Sequence, residues 1–282
     1  MNIQKKNILC KKGSADFNED MATITPHGAW IMDGATGLNG KNLVSDKTDA
    51  FWYVNWWNEY LKKHISTDKT PAEIIKRGII EIKKTYKEIT KDFNVTSLDL
   101  PSSGIILLKW KDDIIEYCSL GDCTLYIKDG FNSSIITDDA IPKLDNIVYE
   151  KMDYLINEKN IPNTEAKEEV MDIIKKNRLL KNTSKGYWIL GFDENATKNA
   201  LKGRIKVKDD VEIMMVSDGF SALYDKYNYI DIHRLFSRVK NNEINELYNT
   251  LRDIENEDLN MIKYPRFKIS DDASCIYLNL SS

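Results

Sequence analysis

The chain is poor in the residues that build soft-metal or redox sites. Its 282 residues include four cysteines, Cys10, Cys118, Cys123 and Cys275, with no CxxC pair and no histidine at zinc-finger spacing. Cys118 and Cys275 lie in apolar runs and read as small buried hydrophobes, so no disulfide framework is expected. No apolar stretch reaches the length of a membrane span. The short run flanked by Lys5, Lys6, Lys11 and Lys12 is too brief for a signal-peptide core, which makes the cytoplasm the expected compartment. Positive charge is not in excess either. A formal net charge of -4 gives no reason to expect nucleic acid or an anionic membrane as a partner. No internal repeat or low-complexity block is present.

What the chain does have is a recurring acidic motif at the ends of apolar runs. In Ile31-Met32-Asp33-Gly34 two apolar residues lead into an Asp-Gly pair, the pattern of a buried strand that ends on a carboxylate and turns sharply. Met214-Met215-Val216-Ser217-Asp218-Gly219 repeats it, and Leu120-Gly121-Asp122 is a looser form. A carboxylate at the mouth of a buried strand is costly unless it is paired, hydrogen-bonded or bound to a cation.

Around these motifs the chain reads as α+β. Strands are expected over 3–10, 21–25 and 29–32, and the second and third form a hairpin about Pro26-His27-Gly28. Antiparallel geometry then places Glu19-Asp20 at the same end as Asp33. A helix is expected over 41–65 from the spacing of Val44, Phe51, Val54, Trp57 and Leu61. Its aromatic run 51–57 reads as a stripe facing the core, with an exposed partner-binding face as the alternative. Thr70-Pro71-Ala72-Glu73 opens a second helix, to about Ile89, with a capping Thr, Pro at the first position and Glu three residues after the cap. Strands at 105–110, 114–119 and 123–128 read as a central meander. Residues 142–182 are polar and helical in pattern, anchored by Met152, Leu155, Val170 and Ile174. They form an excursion expected to act as a flap near the site. Tyr187 to Gly191 is a short apolar run. A strand at 211–216, helices near 229–239 and 243–256, and a last strand at 273–280 behind Ser270-Asp271-Asp272 complete one domain, 1–282, with an insertion at about 142–185.

The candidate site is therefore a set of carboxylates at strand ends: Glu19, Asp20, Asp33, Asp122, Asp218, Asp271 and Asp272. Each alone reads as a turn or cap residue. Together they suit hard cations such as magnesium or manganese. Two such ions roughly 4 Å apart can activate a water and neutralise a phosphoryl group.

The wording and order of these motifs resemble the metal-dependent protein phosphatase family (PPM, the type-2C Ser/Thr phosphatases), in a divergent bacterial form. The resemblance rests on Asn18-Glu19-Asp20, Met32-Asp33-Gly34, Ser102-Ser103-Gly104, Ser119-Leu120-Gly121-Asp122, Thr137-Asp138-Asp139, Val216-Ser217-Asp218-Gly219 and Asp271-Asp272-Ala273-Ser274, which span nearly the whole chain in family order. It implies a four-layer α-β-β-α sandwich of two antiparallel sheets flanked by helix pairs. It implies two Mg2+ or Mn2+ ions: Asp33 bridging both, the Gly34 carbonyl on the first, Asp218 and Asp271 on the second, with Glu19 at that centre directly or through water. Asp20 would orient water, and Asp122 with Asp218 matches the position of a weaker third ion in bacterial members. The implied activity is hydrolysis of a phosphoserine or phosphothreonine protein by direct attack of metal-activated water.

Three positions depart from the family pattern. The Arg that grips substrate phosphate four residues before the Glu of the first motif is Ala15 here, leaving Lys11, Lys12 or a flap residue to substitute. The His that follows Asp-Gly in many eukaryotic members is Ala35; His27, His64 and His233 read as surface or packing residues rather than replacements. Asp272 stands where Asn is common. Two other functions remain open: a regulatory or binding module with a phosphatase-like fold, presenting the aromatic helix, and a hydrolase of a small phosphorylated metabolite. Nothing in the sequence specifies an oligomeric state.

Overall fold

A computed structural model describes residues 1–282. Strands β1 (Asn2–Lys11), β2 (Asp20–Thr25) and β3 (Gly28–Ala35) are followed by helices α1 (Asp49–His64) and α2 (Pro71–Ile89). Next come β4 (Ser102–Lys111), β5 (Ile114–Leu120), β6 (Thr124–Asp129) and β7 (Asn132–Ile136). Helices α3 (Ala140–Asp153) and α4 (Asn163–Leu179) are joined through a π-helical turn (Tyr154–Glu158), and a single turn, α5 (Ala196–Asn199), precedes β8 (Leu201–Lys206) and β9 (Asp210–Val216). The chain closes with α6 (Asp218–Asp225), α7 (Ile232–Lys240), α8 (Ile244–Asn256) and β10 (Ala273–Ser281).

Two five-stranded antiparallel sheets, ordered β1-β10-β9-β6-β7 and β2-β3-β4-β5-β8, pack face to face. Ala29 and Ile31 of β3, Ile106 and Leu108 of β4, Ile213 and Met215 of β9, and Ile276 and Leu278 of β10 fill the space between them. The alternate residues point outward under helices. Trp30 and Met32 pack beneath α1 and α2, and Met214 and Val216 beneath α6, α7 and α8. Central strands are thus buried on both faces, which explains runs with no polar alternation. The result is the expected α-β-β-α sandwich. No helix is long and apolar enough to cross a membrane.

Several local expectations need correction. Helix α1 starts at Asp49, not near 41: Thr48 caps it by accepting from Phe51 N, and Asp49 turns back to accept the Leu43 and Val44 N–H groups. The three central strands are not one meander, because β6 leaves the sheet of β4 and β5 to pair with β9. Helix α7 starts at Ile232 rather than 229, where the Asp231 carboxylate accepts from His233 N and Arg234 N. The expectation for α2 holds, with both halves of the capping box between Thr70 and Glu73 formed. Between β7 and α5, α3 and α4 gather Val148, Met152, Leu155, Ala166 and Val170 into a small core of their own.

Candidate metal centre

Strand register brings the acidic motifs to one end of the sandwich. Asp20 at the start of β2 lies opposite Asp33 near the end of β3, and Asp33 lies opposite Gly104 at the start of β4. In the other sheet Val216 pairs with both Thr124 and Cys275, so Asp122, Asp218 and Asp271 flank strand ends at the same level. Gly34 is demanded by packing: a Cβ there would come within 2.5 Å of the Glu19 carbonyl oxygen, which accepts from Gly34 N. Its absence lets the Glu19 loop lie against β3.

Glu19, Asp33, Gly34, Asp122, Asp218 and Asp271 all line one cavity of about 450 Å³. An adjoining lobe of about 430 Å³ shares Asp122, Asp145, Asp218, Lys268 and Asp271. Asp20 is different. It is 4% exposed, sealed behind the cavity, and its Oδ2 accepts a 2.8 Å hydrogen bond from Ser217 Oγ. Asp272 also lies outside the lining, and its two carboxylate oxygens accept from Gly13 N and Glu19 N at 2.7 Å each. It fixes the position of Glu19 rather than facing the cavity.

The electrostatics follow from crowding. Burial, then the charges of Asp218 and Asp20, push the Asp33 carboxyl well above the usual range. Asp218 is raised by burial and then by the charge of Asp271. The Asp218 side chain faces the open cavity, where water reaches it. Asp122 is pushed up to about 8, by burial and then by Asp218. Glu19 accepts from Thr36 Oγ1 at 2.8 Å.

Sequence reasoning missed three residues at this site. Asp145 of α3 faces the same carboxylates, and burial followed by the charge of Asp218 raises it to about 6. Lys268 donates to Asp271 Oδ1 at 2.8 Å; burial opposes its charge, but Asp271, and beyond it Glu19 and Asp272, push its pKa up. Arg178, in the last turn of α4, reaches the cavity from the helical excursion. Only Lys268, three residues before Asp271, carried a positional signal in the sequence; Asp145 and Arg178 sit in polar helices among many similar charges. Ala35 lines the cavity and Ala15 does not. No histidine lines it: His27 and His233 are exposed, and His64 packs on Tyr60.

No three His, Cys, Asp or Glu side chains stand in a ready-made metal cage. Of these carboxylates, Asp271 is already paired with the Lys268 amine. The donor set nevertheless fits hard cations in its chemistry. It is all oxygen, carries more negative charge than the neighbouring cations offset, and lines a cavity open to water.

No family model and no curated protein matches the sequence. Solved structures match the fold. A serine/threonine phosphatase from Mycobacterium tuberculosis, PstP/Ppp, superposes with a TM-score of 0.58 at 14% identity, covering 99% of each chain. The serine/threonine phosphatase Stp1 from Staphylococcus aureus superposes at 0.55 with 14% identity, over 100% of this chain and 96% of that one. The catalytic domain of PstP solved with two manganese ions superposes at 0.55 with 12% identity, over 99% and 98%. The fold is therefore that of the bacterial PPM-type Ser/Thr phosphatases.

Proposed function

We propose that the chain is a Mg2+- or Mn2+-dependent phosphatase acting on phosphoserine or phosphothreonine in proteins. The observation that carries this reading is the convergence of Glu19, Asp33, Asp122, Asp218 and Asp271, from five separate points of the chain, on one cavity. Asp33, Asp218, Asp271, Glu19 and the Gly34 carbonyl would hold two divalent cations, and Asp122 with Asp218 a weaker third. Such ions supply charge neutralisation at a phosphoryl group and lower the pKa of water. The residues themselves do the rest. Asp33 and Asp218, both raised by crowding, must be deprotonated to act as ligands. Asp20, held by Ser217 opposite Asp33, would act on water through Asp33 rather than by touching it. Asp272 keeps Glu19 in register through its backbone N–H. The whole chain, 1–282, is proposed to work as one unit, with the segment at about 142–185 as its flap.

The deciding measurement is manganese-dependent hydrolysis of an aryl phosphate and a phosphothreonine peptide by wild type, Asp33→Ala and Asp218→Asn. Turnover by wild type and its loss in both variants is expected. A wild type inactive across metals and pH would sink the enzyme reading, and activity surviving both substitutions would sink the site assignment.

A further inference from the structure

Beyond the divalent ions proposed above, a phosphate monoester entering this carboxylate-lined cavity can be gripped only by a cationic side chain. Two cationic side chains line the cavity, Lys268 and Arg178. The Lys268 amine is committed to Asp271. Arg178 makes one hydrogen bond, from Nη1 to the Thr36 carbonyl at 3.4 Å, which leaves most of the guanidinium's donors without a protein partner. Thr36 lies just past the end of β3 and its hydroxyl holds Glu19, so this contact leans the guanidinium against the strand that carries Asp33. On α3 and α4, Leu144, Val148, Met171 and Ile174 surround it with apolar surface. Asp145, the charged residue of α3 in the same cavity, feels Arg178 electrostatically but forms no salt bridge or hydrogen bond with it. The N-terminal loop supplies no substitute. Ala15 is outside the cavity, Lys12 Nζ is turned onto the Ala15 and Asp16 carbonyls, and Lys11 is exposed.

We infer that Arg178 grips the substrate's phosphoryl oxygens, presenting a planar fork from α4 in place of an arginine at position 15. This inference rests on the phosphatase reading above, and its test separates the two. Wild type, Arg178→Ala, Arg178→Gln and Arg178→Lys are compared in the full chain with saturating Mn2+. The readouts are KM and kcat for an aryl phosphate, and the Kd of inorganic phosphate by calorimetry, which needs no turnover. Arg178→Gln can keep the Thr36 contact, so it reports on phosphate binding even where alanine disturbs the helix. Arg178→Ala and Arg178→Gln are expected to raise both KM and the phosphate Kd about tenfold or more, with a smaller fall in kcat, and Arg178→Lys to recover part of the loss. Phosphate binding that depends on Arg178 in a chain without turnover would leave the clamp standing and remove the hydrolytic reading. An unchanged phosphate Kd in Arg178→Gln, or no phosphate binding by wild type, would overturn the clamp, whatever the turnover.

Discussion

Lys268 Nζ lies 2.8 Å from Asp271 Oδ1, so a proposed metal ligand is already paired with an ammonium from three residues upstream. The Asp272 N–H also donates to that oxygen, at 2.9 Å. A divalent ion using Asp271 must share it with this amine or displace it. Removing the amine should therefore tighten metal binding. The side chain remains 38% exposed, so solvent screens the pair and the gain is set at about 1 kcal/mol. Lys268→Gln is expected to lower the Mn2+ Kd about fivefold by titration calorimetry. Weaker binding in this variant would mean that the amine organises the site instead of competing for it.

Metal-free protein should lose stability as pH rises. Burial and neighbouring charge raise the folded pKa values of Asp33, Asp122 and Asp218 above the usual carboxylate value of 3.8, with Asp122 at about 8. The native state then holds protons that the unfolded chain has released. Linkage makes stability fall through the window from about 4 to about 8, by up to about 1.4 kcal/mol per pH unit for each retained proton. Urea midpoints in chelator should drop steadily from pH 5.5 to 8.5, and Mg2+ should restore most of the loss at the alkaline end. A midpoint that rises over this range would contradict the crowding of these carboxylates.

Asp272 uses both oxygens on backbone donors, Gly13 N and Glu19 N. An asparagine has only one acceptor oxygen, and its NH2 would face an N–H with no acceptor between them. Asp272→Asn should therefore cost about 1–3 kcal/mol of stability and loosen Glu19. Chemical denaturation and Mn2+ titration of the same variant check both effects. Wild-type stability together with wild-type metal affinity would show that the clasp contributes nothing.

The sequence made the strand ends legible because an acidic residue after an apolar run has few ways to be satisfied; Asp33, Asp122 and Asp218 were found on that ground alone. Of the four edge strands, β1 and β2 were legible and the other two were not. β7 (Asn132–Ile136) and β8 (Leu201–Lys206) are polar and each pairs on one side only, so no apolar pattern marks them. Helix α6 escaped notice because it is only about two turns long and opens on an Asp-Gly pair that reads as a turn, so Asp218 read only as a strand-end carboxylate. The split of β6 from β5 depends on sheet-to-sheet packing, which local spacing does not encode. Arg178 and Lys268 needed the fold, since only tertiary structure brings α4 and the 268–271 turn to the same cavity.

The aromatic run in α1 divides by depth, and substitution should expose the division. Tyr53 and Trp57 are fully buried, and Trp57 lies where a Cβ on Gly78 of α2 would come within 2.4 Å of its ring. Trp56 is half-buried and stacks on Tyr60, with ring centroids 5.2 Å apart, at the edge of a surface groove. Trp57→Ala should cost about 3–5 kcal/mol, the range for emptying a large core site. Gly78→Ala should cost about 1–3 kcal/mol by overpacking the same contact. Trp56→Ala, partly solvated already, should cost less than either. Urea denaturation of the three variants checks the ranking. Trp57→Ala within about 1 kcal/mol of wild type would mean that α1 does not hold its aromatic face against α2 in solution.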